Sequence, residues 1–169
     1  LSKDYPRYGH RLYTLAQPMQ PGEQRELRFS NRLQEPGFVN DRPLTRLVEN
    51  GSFLHNFAIS PMLDVNRRVF LQERSKRRKH GLPPELRVAK LEDPSADAHH
   101  YLRHDSDWVD AEITLSTDAD QVPLAPGYTV SDVSANGRRT LVTRTEAPIH
   151  NFFSLQSARY AIAKEQWKR

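Results

Sequence analysis

The chain has 169 residues, enough for one domain with a hydrophobic core but few for two complete ones. Its hydrophobic content of 37% is low for a globular domain, which predicts a thin core and long polar loops, and its formal net charge of +4 is modest. The absence of cysteine excludes disulfides and thiolate metal sites, and no apolar run approaches the roughly 18 residues of a membrane span.

The first part of the chain is predicted to consist of short strands joined by turns. Residues 11–15 form one predicted strand, and the alternation of apolar and polar side chains over residues 24–33 predicts a second. Two prolines and a glycine between them predict a hairpin with a Pro-Gly loop. Residues 45–48 are predicted to form another short strand. Residues 49–61 mix polar and aromatic side chains without a regular period and are predicted to form a shaped loop.

One helix is predicted at about residues 64–80. Asp64 is a typical N-cap residue, Gly81 suits the position just past the helix, and the prolines that follow forbid its continuation. Five basic side chains in the last turns complement the negative end of the helix dipole: Arg74, Lys76, Arg77, Arg78 and Lys79. A second short helix is predicted at about residues 95–103, so a helical insertion occupies about 64–103.

Residues 107–162 carry the clearest strand pattern. Apolar and polar side chains alternate from Trp108 to Leu115, which predicts a strand with one dry and one wet face. Val122 and Leu124 predict a second strand. Asn136-Gly137 supplies the two positive-φ residues of a tight hairpin turn between strands at about 128–133 and 139–145. Residues 151–162 are the most apolar stretch. The chain is therefore predicted to be a single, mainly β domain over residues 1–169, an antiparallel β-sandwich or saddle-like fold.

The basic run at residues 74–79 could bind nucleic acid, because clustered cations release counterions from phosphate. A surface for single strands would also carry aromatic side chains on which bases stack, and none lies between Phe70 and Tyr101. The run is therefore interpreted as a solvated helix face, and no nucleic-acid partner is predicted.

His99, His100 and His104 form the one histidine cluster. On a helix His100 and His104 would share a face, as two zinc ligands require. The motif of a zinc peptidase would place Glu after the first histidine, where Tyr101 stands, and no third ligand is evident. A hydrated polar helix is the simpler interpretation, so no metal site is predicted. No catalytic residue is predicted either, because the sequence contains no nucleophile elbow and no phosphate-binding glycine loop.

Several stretches of the chain resemble a known family. Three of them are Leu15-Ala16-Gln17-Pro18-Met19-Gln20-Pro21-Gly22-Glu23, the segment Glu49 to Pro61, which begins Glu49-Asn50-Gly51-Ser52-Phe53, and Arg77-Arg78-Lys79-His80-Gly81-Leu82-Pro83-Pro84. The most extensive is the strand pattern that runs from Trp108-Val109-Asp110-Ala111-Glu112-Ile113 through Asn136-Gly137-Arg138-Arg139 to Ala147-Pro148-Ile149-His150-Asn151-Phe152-Phe153. Together they are similar to the N-terminal β-domain of zinc aminopeptidases related to aminopeptidase N. They are most similar to the bacterial branch in which a peptidase-like region is fused to an ABC transporter permease.

The resemblance implies a saddle-shaped, noncatalytic β-domain that packs against a thermolysin-like catalytic domain of the same chain and walls one side of the cleft for the peptide substrate. Zinc would belong to that catalytic domain, because this sequence contains no His-Glu-x-x-His. The resemblance further implies a protein tethered to the bacterial inner membrane, with this domain on the extracytoplasmic side. In that family an amide or carboxylate holds the free amino group of the substrate, a role that falls here on Glu49, Asn50 or Asn56.

Members of the family begin their β-domain upstream of the position of Leu1, so this chain is expected to be N-terminally truncated. The sheet edge predicted at residues 11–33 would then lack neighbours, and weak homodimerisation is expected. A rival hypothesis is a β-sandwich module of a transporter-associated protein without peptidase activity, which binds a peptide or protein partner. The sequence downstream of Arg169 separates the two hypotheses, because only the first requires His-Glu-x-x-His there.

Overall fold

A computed structural model of the chain describes residues 1–34, 46–63, 70–84, 92–94 and 107–166. In these residues the strands are β1 Lys3–Tyr5, β2 His10–Leu12, β3 Leu47–Val48, β4 Gly51–His55, β5 Trp108–Val109, β6 Glu112–Asp118, β7 Val122–Leu124, β8 Tyr128–Ala135, β9 Arg138–Arg144, β10 Ile149–His150 and β11 Ser154–Ala158. The α-helices of the same residues are α1 Asn56–Ile59 and α2 Arg74–Lys79. The strand pairs of these described residues are all antiparallel, which confirms the predicted mainly β class.

The chain divides into two units, Leu1–Ser30 with Met62–Asp97 and Asn31–Pro61 with Ala98–Arg169. In the first unit β1 pairs with β2 around a 3₁₀ turn, Pro6–Tyr8, that ends at Gly9 with φ of 60°. The predicted strand at 11–15 therefore lies slightly earlier. The predicted strand at 24–33 is wrong, because this stretch is irregular and pairs with no strand of the described residues. A strand needs hydrogen-bonding partners and a surface to cover its apolar face, and alternation alone supplies neither.

Helix α2 is shorter than predicted. Residues 70–73 are not helical, so the predicted helix at 64–80 is wrong in that part, while residues 64–69 and 95–103 lie outside the described residues. The end of α2 agrees with the prediction, since Gly81 has φ of 64° and Leu82 N–H donates to the Arg77 carbonyl at 2.9 Å. The Arg77 guanidinium donates to the Leu71 and Pro83 carbonyls, each at 2.9 Å, and so joins the chain on both sides of the helix. No residue of α2 is buried, as expected for a solvated helix.

In the second unit β6, β9 and β8 form a three-stranded sheet with β9 in the centre. The predicted hairpin between β8 and β9 is confirmed. Asn136 and Gly137 have φ of 51° and 74°, as a two-residue turn of this hand requires. The register of β8 shifts by one residue at Val130, which marks a β-bulge.

The core of this unit lies on one face of the three-stranded sheet. Leu141, which is 6% exposed, is the one buried large hydrophobic side chain among the described residues. Leu115 and Asp132 lie opposite it on the neighbouring strands. The apolar residues of 151–162 contribute less to the core than their sequence suggests, because Phe152 and Tyr160 are more than 40% exposed.

The second unit also holds a four-stranded sheet with the order β3-β4-β11-β7, and a two-stranded ribbon of β5 and β10. Residues 49–61, predicted to be a loop, instead contain β4 and α1, so that prediction is wrong. Gly51 makes the pairing of β4 with β11 possible, because a Cβ added there would lie 1.9 Å from the Ser157 carbonyl oxygen. The missing side chain lets the two backbones approach.

The pair between Asp132 and Arg139 is expected to make stability depend on pH. Arg139 donates from Nε and Nη2 to the two carboxylate oxygens of Asp132 at 2.9 and 2.6 Å, and this hydrogen bonding holds the pKa of Asp132 below its ordinary value. The pair therefore stabilises the fold above the unfolded pKa of about 3.9, and the stabilisation is lost as pH falls through the lower folded pKa.

Replacing Asp132 with Asn is expected to lower the free energy of unfolding at pH 7 by at most about 1 kcal/mol, because both side chains are partly exposed to solvent. Denaturant unfolding at several pH values measures the difference between the two proteins. It should shrink steadily below about pH 4. A difference of the same size at pH 7 and in strong acid would show that the ion pair does not contribute.

Candidate functional site

The Glu49-Asn50 turn joins β3 to β4 and carries two of the predicted substrate-binding side chains. Both residues are exposed. The turn is held through its backbone carbonyl groups. The Glu49 carbonyl accepts hydrogen bonds from Gln121 Nε2 at 3.3 Å and from Arg159 Nη1 at 3.1 Å. The Asn50 carbonyl accepts from the Arg159 N–H at 3.3 Å. The turn is therefore fixed from two neighbouring segments while its side chains face solvent.

Arg159 is the residue that connects these segments. Its Nε donates to Asp120 Oδ2 at 2.5 Å, and this hydrogen bond, with the charges of Asp120, Glu49 and Asp118, raises the pKa of the guanidinium above its ordinary value. Arg159 stays charged throughout the physiological range in any case, so its contribution is geometric. It ties the turn before β4 to the turn before β7 and to the end of β11.

Asn56, the third predicted substrate-binding residue, has a different environment. It is 4% exposed, and its side-chain amide is used within the chain. Asn56 Nδ2 donates to Asn151 Oδ1 at 2.6 Å, and Asn56 Oδ1 accepts from the Phe153 N–H at 3.2 Å. The Asn56 N–H donates to the Phe153 carbonyl at 2.9 Å. The amide therefore fixes the segment that leads from β10 into β11.

The structure brings Glu49 and Asn50 together and separates Asn56 from them. The five residues of β4 lie between, which in an extended strand places Asn56 about 20 Å from the turn. The geometry thus makes Glu49 and Asn50 one candidate site and gives Asn56 a structural role at the opposite end of the strand.

Replacing Asn56 with Ala is expected to lower the free energy of unfolding by about 1–3 kcal/mol, because the Phe153 N–H loses its side-chain partner in a buried setting. Asn50→Ala, on the exposed turn, is the matched control and should change stability by less than about 0.5 kcal/mol. Chemical denaturation measures both variants. Equal effects at the two positions would contradict the structural role of Asn56.

An aromatic cluster lies next to Asn56. The His55 ring packs edge-on against Phe53 at a centroid distance of 4.9 Å and stacks on Phe152 at 6.1 Å, and Phe57 lies 5.3 Å from Phe152. Phe53 and Phe152 are 45% and 44% exposed. The cluster is thus a half-exposed aromatic surface whose residues flank the hydrogen-bonded Asn56 and Phe153 in the chain.

Sequence reasoning missed a second feature, the exposed face of the four-stranded sheet. Directly opposite residues share a face, so Phe53, Gln156 and Leu124 form a row across β4, β11 and β7. Beside this row lies an open cavity of about 360 Å³, lined by Leu124, Ala125, Pro126, Phe153, Ser154 and Gln156. No local sequence pattern identifies this face, because the row depends on the register of three strands that are distant in the chain.

Within the described residues, no group of three or more His, Asp or Glu side chains is placed to hold a metal ion. The cluster of His99, His100 and His104 lies outside those residues. No helix of the described part is long and apolar enough to cross a membrane.

No protein-family model, curated protein or solved structure matches the chain. Its function is therefore argued from its own residues and geometry.

Proposed function

We propose that this chain is a noncatalytic β-domain of a zinc-aminopeptidase-like protein of the bacterial inner membrane. On the extracytoplasmic side it would form one wall of the substrate cleft. The proposal combines the sequence resemblance with one structural observation, the Glu49-Asn50 turn. A domain of this kind must present a polar side chain from a rigid position, because binding weakens when the protein must first order the group that binds.

The turn meets that requirement. Arg159 and Gln121 hold its two carbonyl groups, and the Glu49 carboxylate extends into solvent at the end of a hairpin. A carboxylate attracts the ammonium group at the free N-terminus of a peptide, and the attraction grows when a second domain excludes water from the site. Glu49 is therefore the proposed amine-binding residue, and Asn50 a neighbouring hydrogen-bonding group. Zinc and the reacting groups would be supplied by the thermolysin-like catalytic domain.

Two experiments test this proposal. The reading frame beyond Arg169 is expected to encode His-Glu-x-x-His with a further Glu on the next helix. In the protein that carries both domains, Glu49→Gln is expected to raise KM for a peptide with a free N-terminus by about tenfold with little change in kcat, as loss of uniform binding does. Glu146→Gln, which also removes an exposed carboxylate, is the control and should leave KM unchanged. A reading frame without that motif, or equal effects of the two variants, would overturn the proposal.

A second candidate function is a β-sandwich module that binds a peptide or protein partner without peptidase chemistry. The exposed face of the four-stranded sheet favours it, since this face carries half-exposed Phe53 and Leu124 beside an open cavity.

A further inference from the structure

We infer that the exposed face of the four-stranded sheet binds an uncharged, extended peptide that places one apolar side chain in the cavity beside Gln156. The inference rests on the second candidate function, that of an interaction module. It needs neither zinc nor a catalytic domain.

The composition of the sheet is the first argument. Its four strands contain no Asp, Glu, Lys or Arg, and the face that carries the Phe53–Gln156–Leu124 row is the more exposed one. His55, opposite Ser154 on this face, is the one titratable side chain of the four strands. Val48, Phe53 and Leu124 on this face are 53%, 45% and 46% exposed, whereas Ser157 on the other face is 4% exposed. A solvent-facing sheet surface is normally polar, so an uncharged apolar one indicates an interface.

The absence of charged side chains in these described strands also determines what can bind. A charged group buried in the cavity would lose water without gaining a partner, at a large cost in free energy, because no lining residue carries a charge. Phosphate-bearing ligands need clustered cations, and the strands offer only the His55 imidazole. The face therefore selects a neutral ligand.

The cavity sets the size of the group that it receives. At about 360 Å³ it lies near the lower end of the range for small-molecule sites, so it suits one or two side chains rather than a cofactor. Its walls are mostly apolar, since Leu124, Ala125, Pro126 and Phe153 supply them. Binding an aliphatic or aromatic side chain there would remove apolar surface from water, which favours association.

Gln156 gives the face its hydrogen-bonding chemistry. Its Nε2 donates to Ser154 Oγ at 3.0 Å, which uses one of its two N–H groups, and its Oε1 accepts from Tyr160 Oη at 3.5 Å, the outer limit of a hydrogen bond. An amide that can both donate and accept matches the N–H and C=O groups of a peptide backbone. Together with the apolar cavity, this favours a peptide over a lipid or hydrocarbon ligand.

The peptide would lie across the face and not extend the sheet at its β7 edge. Pro123 is the central residue of β7 and has no N–H to donate to an added strand. Prolines at such positions protect edges from pairing with other chains. The row formed by Phe53, Gln156 and Leu124 crosses three strands, about 10 Å from end to end, which an extended peptide covers with three to four residues.

The test uses the 169-residue protein and an uncharged capped peptide, acetyl-Gly-Ser-Leu-Asn-Phe-Ser-Gly-amide. Titration of isotope-labelled protein, followed by NMR, is expected to shift the amide signals of residues 122–126 and 153–156 and to saturate below about 1 mM peptide. Replacing the Leu of the peptide with Lys is expected to weaken binding by at least about tenfold, because the cavity has no partner for the charge.

Leu124→Lys in the protein is expected to weaken binding by at least about tenfold for the same reason. Val133→Lys places the same charge on an exposed residue of the three-stranded sheet and should change binding less than about twofold. Should Leu124→Lys fail to fold, the signal shifts in the unmodified protein still locate the site.

The inference would be overturned by a lack of saturation up to about 1 mM peptide, by signal shifts located elsewhere, or by equal weakening by the two Lys variants. Sedimentation supplies the last control. If the protein dimerises and Leu124→Lys alone makes it monomeric, the face binds a second copy of the chain and the peptide inference fails. None of these results depends on the reading frame beyond Arg169, so each proposal can fail without the other.

Discussion

Replacing Gly51 with Ala is expected to lower the free energy of unfolding by about 3 kcal/mol or more, a large part of the stability of a small domain. The added Cβ would lie 1.9 Å from the Ser157 carbonyl oxygen and 2.7 Å from the Ala158 Cα. Both are backbone atoms of β11, so no side chain can rotate away to relieve the contact. The strands β4 and β11 would have to separate locally, and the hydrogen bonds between them would be lost.

Gly22→Ala is the control for this prediction. A Cβ at Gly22 meets nothing within 4 Å, but its φ of 82° is unfavourable for alanine. The expected cost is about 1–2 kcal/mol from backbone strain alone. Chemical denaturation compares the two variants, and amide exchange in residues 51–55 and 154–158 reports on the strand pair. If Gly51→Ala is as stable as Gly22→Ala, the close approach of β4 and β11 is wrong.

The hairpin between β8 and β9 could be predicted because its cause is local. Two consecutive positive-φ residues are difficult for most side chains, and Asn136-Gly137 satisfies that requirement without help from the rest of the chain. The end of α2 is similar, since Gly81 terminates a helix by its own backbone conformation. Features that one or two residues determine are readable from sequence.

Strand β4 could not be predicted because its pattern opposes the usual one. Polar side chains are expected to face solvent, but Ser52 and Ser157 share the less exposed face, where their hydroxyl groups lie 3.0 Å apart. Phe53 takes the more exposed face. Because Leu54 joins Ser52 on the inner face while Phe53 and His55 take the outer one, polar and apolar side chains show no regular period along the strand. The hydrogen bond between two serines 105 residues apart is what satisfies the inner face, and sequence spacing does not reveal it.

The stretch at 24–33 shows the opposite error. Its alternation of Leu27 and Phe29 with charged residues predicts a strand, yet both apolar side chains are more than half exposed. Arg25 and Arg28 pair with carboxylates two residues away, as in the hydrogen bond from Arg28 Nε to Glu26 Oε1 at 2.8 Å. The pattern had no partner strand, and pairing between distant segments is the information that a single sequence lacks.

The candidate site was predicted in part for the same reason. Glu49, Asn50 and Asn56 are close in sequence, which suggested a single loop. Because β4 intervenes as an extended strand, the first two share a turn while Asn56 supports the other end. The row of Phe53, Gln156 and Leu124 depends on the register of three strands from distant parts of the chain, so no local sequence motif predicts it.

Replacing Leu141 with Ala is expected to lower the free energy of unfolding by about 2–5 kcal/mol, as removal of a buried leucine side chain does. Leu141 is 6% exposed at the centre of β9, with Leu115 opposite it on β6. Since it is the one large hydrophobic side chain fully buried in the described residues, few other contacts can compensate for the cavity. Ile113 and Phe153 are only partly buried, so the same truncation there should cost less.

Val133→Ala, on the neighbouring strand β8, is the control for Leu141→Ala. Val133 is 57% exposed, so its truncation should change stability by less than about 0.5 kcal/mol. Denaturant unfolding of the two variants, followed by circular dichroism, measures the difference. Similar midpoints for both would place the core of this unit somewhere other than the inner face of the three-stranded sheet. A large loss for Leu141→Ala alone would show that a single buried position on β9 carries much of the packing, as the low hydrophobic content of the chain implies.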